Sequence, residues 1–383
     1  MKKTPPAHNT RNLLILIFIL LFIGIIVISS STSVYSQSLY GSPYRFTILQ
    51  AGWIVLGLIG FYFFYKYDYK KLDRLSYFLF VGTIVLLLLL ALVGFLPCDK
   101  SISFIPCING ANRWLFLNPA PLPEVPFLGV VGFQPGELAK LSLIIYLSIQ
   151  ISKNLKRNED VFVVYAVVSG LTSLLILFQP NMSTAVMVFA LGSMIYFSSD
   201  APLGTLLKMV PIALVAVVIL VVSSPYRRER LVSLLGLGKE ETSYHMEQIL
   251  ISLGSGGLTG VGFGQSMQKF HYLPEIASDS IFAVIGEEFG LIGTTTLVVI
   301  FSYFIYIGYR ISQESKDTLG RLLAVGITSW VALQFFVNTA AMTGIIPLTG
   351  VPMPLISYGG SSMVFSMMGM GILASISRDI ESS

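Results

Sequence analysis

Ten stretches of about 16 to 30 mostly apolar residues run the length of the chain. That repetition constrains the fold more than any motif does. A spanning helix needs roughly 20 apolar residues, and within a bilayer only helices and closed barrels satisfy their own backbone groups. With 54% hydrophobic and 11% charged residues among 383, the chain has too little polar surface to be soluble at this size. The fold expected is all-α: a polytopic membrane protein with about ten transmembrane helices, one domain over 1–383, without a linker or internal repeat. Its spans fall at about 13–31, 46–65, 74–97, 136–152, 161–178, 183–198, 203–223, 280–309, 320–344 and 360–377. The first follows Lys2, Lys3 and Arg11 much as a signal peptide would. Its apolar stretch is long, however, no A-x-A cleavage site follows, and further spans come after it, so it is expected to stay as an anchor.

Lys and Arg in the short loops set the orientation. A cytoplasmic N-terminal tail (1–12) puts Lys66, Lys70, Lys71 and Arg74 inside, with Lys153, Lys156 and Arg157, then Arg310, Lys316 and Arg321, then Arg378 at a cytoplasmic C-terminus. The extracytoplasmic loops are then 98–135, 345–359 and a large one, 224–279, between the seventh and eighth spans. The net charge of +4 is spread over these loops, which argues against a nucleic-acid partner. Cys98 and Cys107 share the first long outer loop, where a disulfide and two free thiols are both open. His8, His245 and His271 are too scattered to form a metal site with them.

Polar chemistry gathers in the outer loops. Gly110-Ala111-Asn112-Arg113-Trp114 precedes a Pro-rich stretch, then Phe133-Gln134-Pro135-Gly136-Glu137-Leu138-Ala139-Lys140 leads into the fourth span. Glu137 and Lys140 share a helix face. They can pair with each other, line a polar cavity, or do both, because charge facing lipid costs about 2.5 to 3.5 kcal/mol. The run Ser224-Pro225-Tyr226-Arg227-Arg228-Glu229-Arg230-Leu231 places three arginines outside the membrane, against the usual bias. An anionic partner and a solvated surface both explain it. Tyr244-His245-Met246-Glu247-Gln248 and the glycine-rich run Gly254 to Gly264 follow; such a run either lets amides approach an anion or only makes turns. The one long polar interruption ends in Gln268-Lys269-Phe270-His271-Tyr272-Leu273-Pro274-Glu275-Ile276-Ala277-Ser278-Asp279. Taken alone, Asp279 reads as an N-cap of the eighth span. That span is long enough for its first turns to project into the outer interface with Glu287 and Glu288, at most one of which can face Asp279.

In combination these motifs, with Phe178-Gln179-Pro180 and the stretch Pro347 to Ser362 that includes Leu355-Ile356-Ser357-Tyr358-Gly359-Gly360-Ser361-Ser362, resemble the SEDS proteins (shape, elongation, division, sporulation) over nearly the whole chain. These are ten-span bacterial peptidoglycan glycosyltransferases typified by FtsW and RodA. The resemblance implies a catalytic aspartate at the position of Asp279, which outweighs the N-cap reading. The substrate would be lipid II, polymerised into glycan strands at the outer face of the cytoplasmic membrane. A sugar hydroxyl needs a base, whereas a pyrophosphate leaving group chiefly needs its charge stabilised, so one carboxylate and several cations suffice. Asp279 is the base in this scheme, with Arg113, Lys140, Lys269 and the cluster from Arg227 to Arg230 as phosphate contacts. Glu137, Gln268, Glu275, Glu288 and Ser357 are further substrate-binding candidates. No cofactor is required by any motif; a divalent cation, Mg or Mn, could share the phosphate duty. Partners implied are a class B penicillin-binding protein transpeptidase and membrane proteins of the division complex. The Pro225 to Leu231 and Leu355 to Ser362 motifs look more like the division branch than the elongation branch. Asn181 and Ser183 stand where the family carries aspartate and glycine, Gly136 replaces a serine, and the stretch from Phe116 to Gly132 is longer than typical. The alternatives are a lipid II flippase, an elongation-type polymerase, and a noncatalytic scaffold for division partners.

Overall fold

The computed structural model describes residues 9–94, 96–98, 102–108, 110–157, 159–200, 204, 240–267 and 277–382. Helices stand at nine of the ten expected positions: α1 (Asn9–Tyr40), α2 (Arg45–Lys66), α3 (Leu72–Val93, led by a 3₁₀ turn Tyr69–Lys71), α4 (Pro135–Lys156), α5 (Phe162–Leu177), α6 (Met182–Phe197), α8 (Ile281–Glu314), α9 (Thr318–Met342) and α10 (Gly360–Glu381). The expected span 203–223 lies outside the described residues. An additional helix, α7 (Glu240–Ser255), occupies the large loop, and two short strands, β1 (Leu115–Phe116) and β2 (Gly132–Phe133), pair antiparallel in the first outer loop.

Six of these helices (α1, α2, α3 with its 3₁₀ turn, α8, α9 and α10) are long and apolar enough to cross a bilayer, while α5 and α6 are shorter apolar helices. Large apolar side chains such as Phe22, Ile59, Phe78, Leu92 and Ile292 are exposed on the outside of the bundle, as lipid-facing positions require. In contrast, α9 and α10 sit inside it, with Trp330, Phe335, Met367 and Leu373 almost fully buried. The helix starts follow local rules. Pro135 opens α4, where its missing N–H is no loss. Asn181 caps α6 by accepting from the Thr184 amide at 3.3 Å, and Asp317 caps α9 by accepting from the Gly320 amide at 2.7 Å.

The first helix runs on past the expected end at residue 31, through Ser30, Ser31, Thr32 and Ser33. These hydroxyls satisfy themselves within the protein: Thr32 donates to the Ile28 carbonyl at 2.7 Å and Ser33 to that of Ser30 at 3.0 Å. The ends of the bundle differ in character. At one end Lys153 pairs with Asp73 at 2.7 Å, Lys70 with Asp379 at 3.0 Å, and Arg321 with Asp200, which joins the basic short loops physically. The long loops collect at the other end, where Cys98 and Cys107 are disulfide-bonded with Cα atoms 5.4 Å apart.

Candidate active site

The eighth span is not one continuous helix. Within the 34 residues of α8, Gly290 takes φ 64° and ψ −160°, which separates a half-helix, 281–289, from the spanning part. A break leaves backbone groups without partners, and inside a membrane protein they must be recovered. The glycine-rich run does so: Val261 and Gly262 donate to the carbonyls of Glu287 and Glu288 at 2.9 and 3.1 Å, while Leu291 and Ile292 donate to those of Gly257 and Leu258 at 2.9 and 3.1 Å. A Cβ on Gly290 would lie 2.4 Å from the Gly260 nitrogen, so no side chain fits there. The run is therefore a packing partner for the half-helix, with these two amides committed to its carbonyls rather than to an anion.

Glu287 and Glu288 are both buried, and they point into protein in different directions. Glu287 accepts from Ser252 at 3.2 Å, Ser266 at 2.5 Å and the Met267 amide at 2.8 Å, which ties α7 and the glycine-rich run to the half-helix. Glu288 accepts from Ser30 of α1 at 2.5 Å. The structure thus engages Glu288 at the α1–α8 contact.

Asp279 stands one residue ahead of the cap position. The helix begins at Ile281 with Ser280 at the cap, and no side-chain capping bond forms there. The N-cap reading of Asp279 is accordingly not what holds it. Its backbone is fixed instead: Asn338 of α9 donates to the Asp279 carbonyl at 2.7 Å and to that of Val351 at 2.8 Å. A Cβ at Gly350 would lie 3.8 Å from Asp279 Oδ2, so the backbone of the 345–359 loop passes beside the carboxylate. His245 of α7 shares a 3.2 Å hydrogen bond with Ser280, the next residue. Nearby Tyr358 donates its amide to the Ala277 carbonyl at 2.8 Å, and burial, reinforced by Tyr40 and partly offset by Arg45, pushes its phenol up to about 12. That hydroxyl stays protonated and is no competitor for the role of base.

One turn away on α9, Gln334 serves a second polar centre. Lys140 pairs with Glu137 at 2.7 Å, their side chains only 2% and 6% exposed. Of the alternatives open in the sequence, pairing is what these two residues do, as an ion pair within the bundle. Lys140 also donates to Gln334 Oε1 at 3.3 Å and lies 5.2 Å from the centroid of the Trp330 ring. Gln334 in turn accepts from Trp330 Nε1 at 2.8 Å and donates to the Pro352 carbonyl at 2.9 Å. Gln334 and Asn338 are four residues apart, about 6 Å of helix rise. The segment Gly350 to Pro352 and these two amides therefore join Asp279 to the Glu137–Lys140 pair.

Arg113 holds protein backbone: its Nε donates to the Gln179 carbonyl at 3.2 Å and its Nη2 to that of Pro180 at 2.6 Å, clamping the turn between α5 and α6. Ser183 donates to the Thr349 carbonyl at 2.8 Å. Ser357 accepts from the Met353 amide at 2.8 Å and so shapes the 345–359 loop from within. Arg227, Arg230, Gln268, Lys269 and Glu275 lie outside the described residues. Among the described residues no three of His, Cys, Asp and Glu gather as a metal cage. The sequence reading passed over Asn338 and Gln334, and kept Glu288 rather than Glu287 as a substrate-binding candidate. The signal was available for the first two, since amides in the middle of an apolar span require partners within the protein.

A family model described as cell cycle protein, covering FtsW, RodA and SpoVE, matches residues 11–382. Stage V sporulation protein E of Bacillus subtilis is 32% identical over 98% of each chain. The probable peptidoglycan glycosyltransferase FtsW of Haemophilus influenzae is 31% identical over 96% of this chain and 90% of its own. In structure, a chain of a peptidoglycan synthase complex that coordinates polymerization and crosslinking superposes with a TM-score of 0.75 at 24% identity, covering 97% of this chain and 98% of that one. The rod shape determining protein RodA of Thermus thermophilus gives 0.63 at 23% identity over 96% of each.

Proposed function

Because the chain belongs to the FtsW/RodA/SpoVE family of cell cycle proteins, we propose that it is a peptidoglycan glycosyltransferase that polymerises lipid II at the outer face of the bacterial cytoplasmic membrane. The observation that carries this is the placing of Asp279. A carboxylate 9% exposed, with its backbone held by Asn338 and the Gly350 segment alongside, sits at the head of a half-helix built for that position. In the reaction, Asp279 takes the proton of the acceptor sugar hydroxyl. The new glycosidic C–O bond forms at the donor's anomeric carbon as its bond to the lipid pyrophosphate breaks, with the electron pair leaving on the phosphate oxygen. A lowered demand for a general acid follows from that leaving group, and positive charge near it supplies the remainder.

Lys140 is the cation nearest in the network, and it reaches substrate only by exchanging some of its hold on Glu137 and Gln334. Lys269, Arg227 and Arg230 are proposed as further phosphate contacts, and Arg113 acts through the α5–α6 turn. The disulfide Cys98–Cys107 supports an extracytoplasmic first long loop, since disulfides persist outside the cytoplasm, and it favours cytoplasmic termini by the alternation of spans. A class B penicillin-binding protein is the proposed partner, in keeping with the synthase complex whose chain superposes on this one. The relatives named FtsW favour the division branch. The test supplies lipid II to the purified chain, alone and with that transpeptidase, and reads glycan length on a gel. Strand growth supports the proposal, whereas transbilayer movement of lipid II without growth would favour the flippase.

A further inference from the structure

The long stretch between β1 and β2 contains one charged residue, Glu124, and a series of exposed apolar ones: Leu117, Leu122, Val125, Phe127 and Val130. In an aqueous outer loop that composition would be unfavourable. Its position along α2 offers a different environment. Arg45 and Lys66 are the only charges in α2, and its 22 residues span about 33 Å, close to the roughly 30 Å of a hydrocarbon core, so Arg45 marks one membrane interface. Glu124 pairs with Arg45 at that level. The turn beyond it goes deeper: a Cβ on Gly52 would fall 2.2 Å from the Phe127 carbonyl oxygen and 3.4 Å from Leu128. Gly52 is seven residues past Arg45, about 10 Å further along the helix.

A loop enters hydrocarbon more readily the more of its backbone is satisfied from within. Here Pro119, Pro121, Pro123 and Pro126 have no N–H to satisfy. Val125 and Gly129 exchange hydrogen bonds of 2.9 and 2.8 Å, Leu128 donates to the Val125 carbonyl at 3.2 Å, and Leu117 to that of Val131 at 2.8 Å. The Asn118 amide reaches the carbonyls of Pro123 at 2.9 Å and Gly129 at 3.2 Å and accepts from the Val131 amide at 2.5 Å. On the face of α2 that carries Gly52, Ile48 lies about 6 Å nearer Arg45, and Val55 and Ile59 lie about 5 and 10 Å further along the helix; all three are exposed.

We infer that residues 117–131 form an apolar hairpin that dips beside α2 into one leaflet of the bilayer and contacts its acyl chains, with Phe127 deepest and the Arg45–Glu124 pair at the headgroup level. Through β2 the hairpin leads directly into the first turn of α4, so this lipid contact adjoins the segment that carries Glu137 and Lys140. The inference does not depend on the proposed reaction, nor on which face of the membrane is outside.

The test places a nitroxide on Phe127→Cys in the full-length protein, reconstituted in phosphatidylcholine and phosphatidylglycerol vesicles, and compares its collision with oxygen, which concentrates in lipid, and with a water-soluble nickel chelate. Ser103→Cys, exposed in the same outer loop, is the reference. The expected ratio of oxygen to nickel accessibility is several-fold higher at residue 127 than at 103, and Val130→Cys carries the same expectation. Ratios at both positions equal to that at residue 103 would overturn the proposal and place the hairpin in water.

Discussion

Neutralising Lys140 should cost more stability than neutralising Lys140 and Glu137 together. The carboxylate of Glu137 has one oxygen against Lys140 at 2.7 Å, and its other oxygen has no partner among the described residues. Lys140→Met therefore strands a buried charge, and breaking a buried pair from one side costs about 3 to 5 kcal/mol. Glu137→Gln is expected to be milder, because Lys140 keeps the Gln334 oxygen and the Trp330 face. The double variant removes both charges while retaining most of the volume, and should recover the greater part of the loss. That amounts to a coupling of at least about 1 to 3 kcal/mol in a double-mutant cycle. Denaturation of the four purified proteins in detergent measures it. Strictly additive losses would refute a mutually dependent pair. Polymerisation by the same double variant then separates two roles: recovered stability with lost activity places Lys140 on the substrate, and full recovery of both makes the pair structural only.

Glu287→Gln should loosen the glycine-rich run, since three donors lose a charged acceptor at about 1.5 to 3 kcal/mol for a typical charged hydrogen bond; faster hydrogen exchange over residues 254–267 would show it, and unchanged exchange would refute it. Arg113→Lys should lower thermal stability along with polymerisation, because a single ammonium cannot bridge the Gln179 and Pro180 carbonyls as the planar fork does; a loss confined to KM for lipid II would return Arg113 to phosphate binding. For orientation, a membrane-impermeant thiol reagent should label Ser103→Cys in intact cells and leave Gln313→Cys unlabelled, and the opposite pattern would contradict the proposed topology.

How far the sequence carries such an account depends on what kind of signal a residue leaves. Apolar span length located the helices, because a bilayer enforces it residue by residue. It misplaced the end of α1, where Ser30 to Ser33 look like a polar exit yet bond within the helix and to Glu288. The break at Gly290 was hidden for a related reason: glycine inside an apolar run is common, and only the packing of Gly260 against it shows that the helix stops. Glu137 and Lys140 were legible as a shared face, since a three-residue spacing on a helix is a local signal. Their partner Gln334 was not, as it lies almost two hundred residues away and only the fold brings it in. Ser266 shows the converse. It belongs to the outer loop 224–279, yet it is fully buried against Glu287.

The central claim is that Asp279 is the base, and the most direct measurement is glycan synthesis from lipid II by purified wild-type protein and Asp279→Asn, matched for folding by their unfolding curves. The substitution keeps the shape of the side chain and leaves intact the backbone carbonyl held by Asn338, while it removes the carboxylate's charge and its capacity to take a proton. The account predicts a fall of about 10² to 10⁴ in rate with an unchanged unfolding curve, the usual contribution of one general base. Synthesis by Asp279→Asn within a few-fold of wild type would contradict it and move the chemistry to another residue.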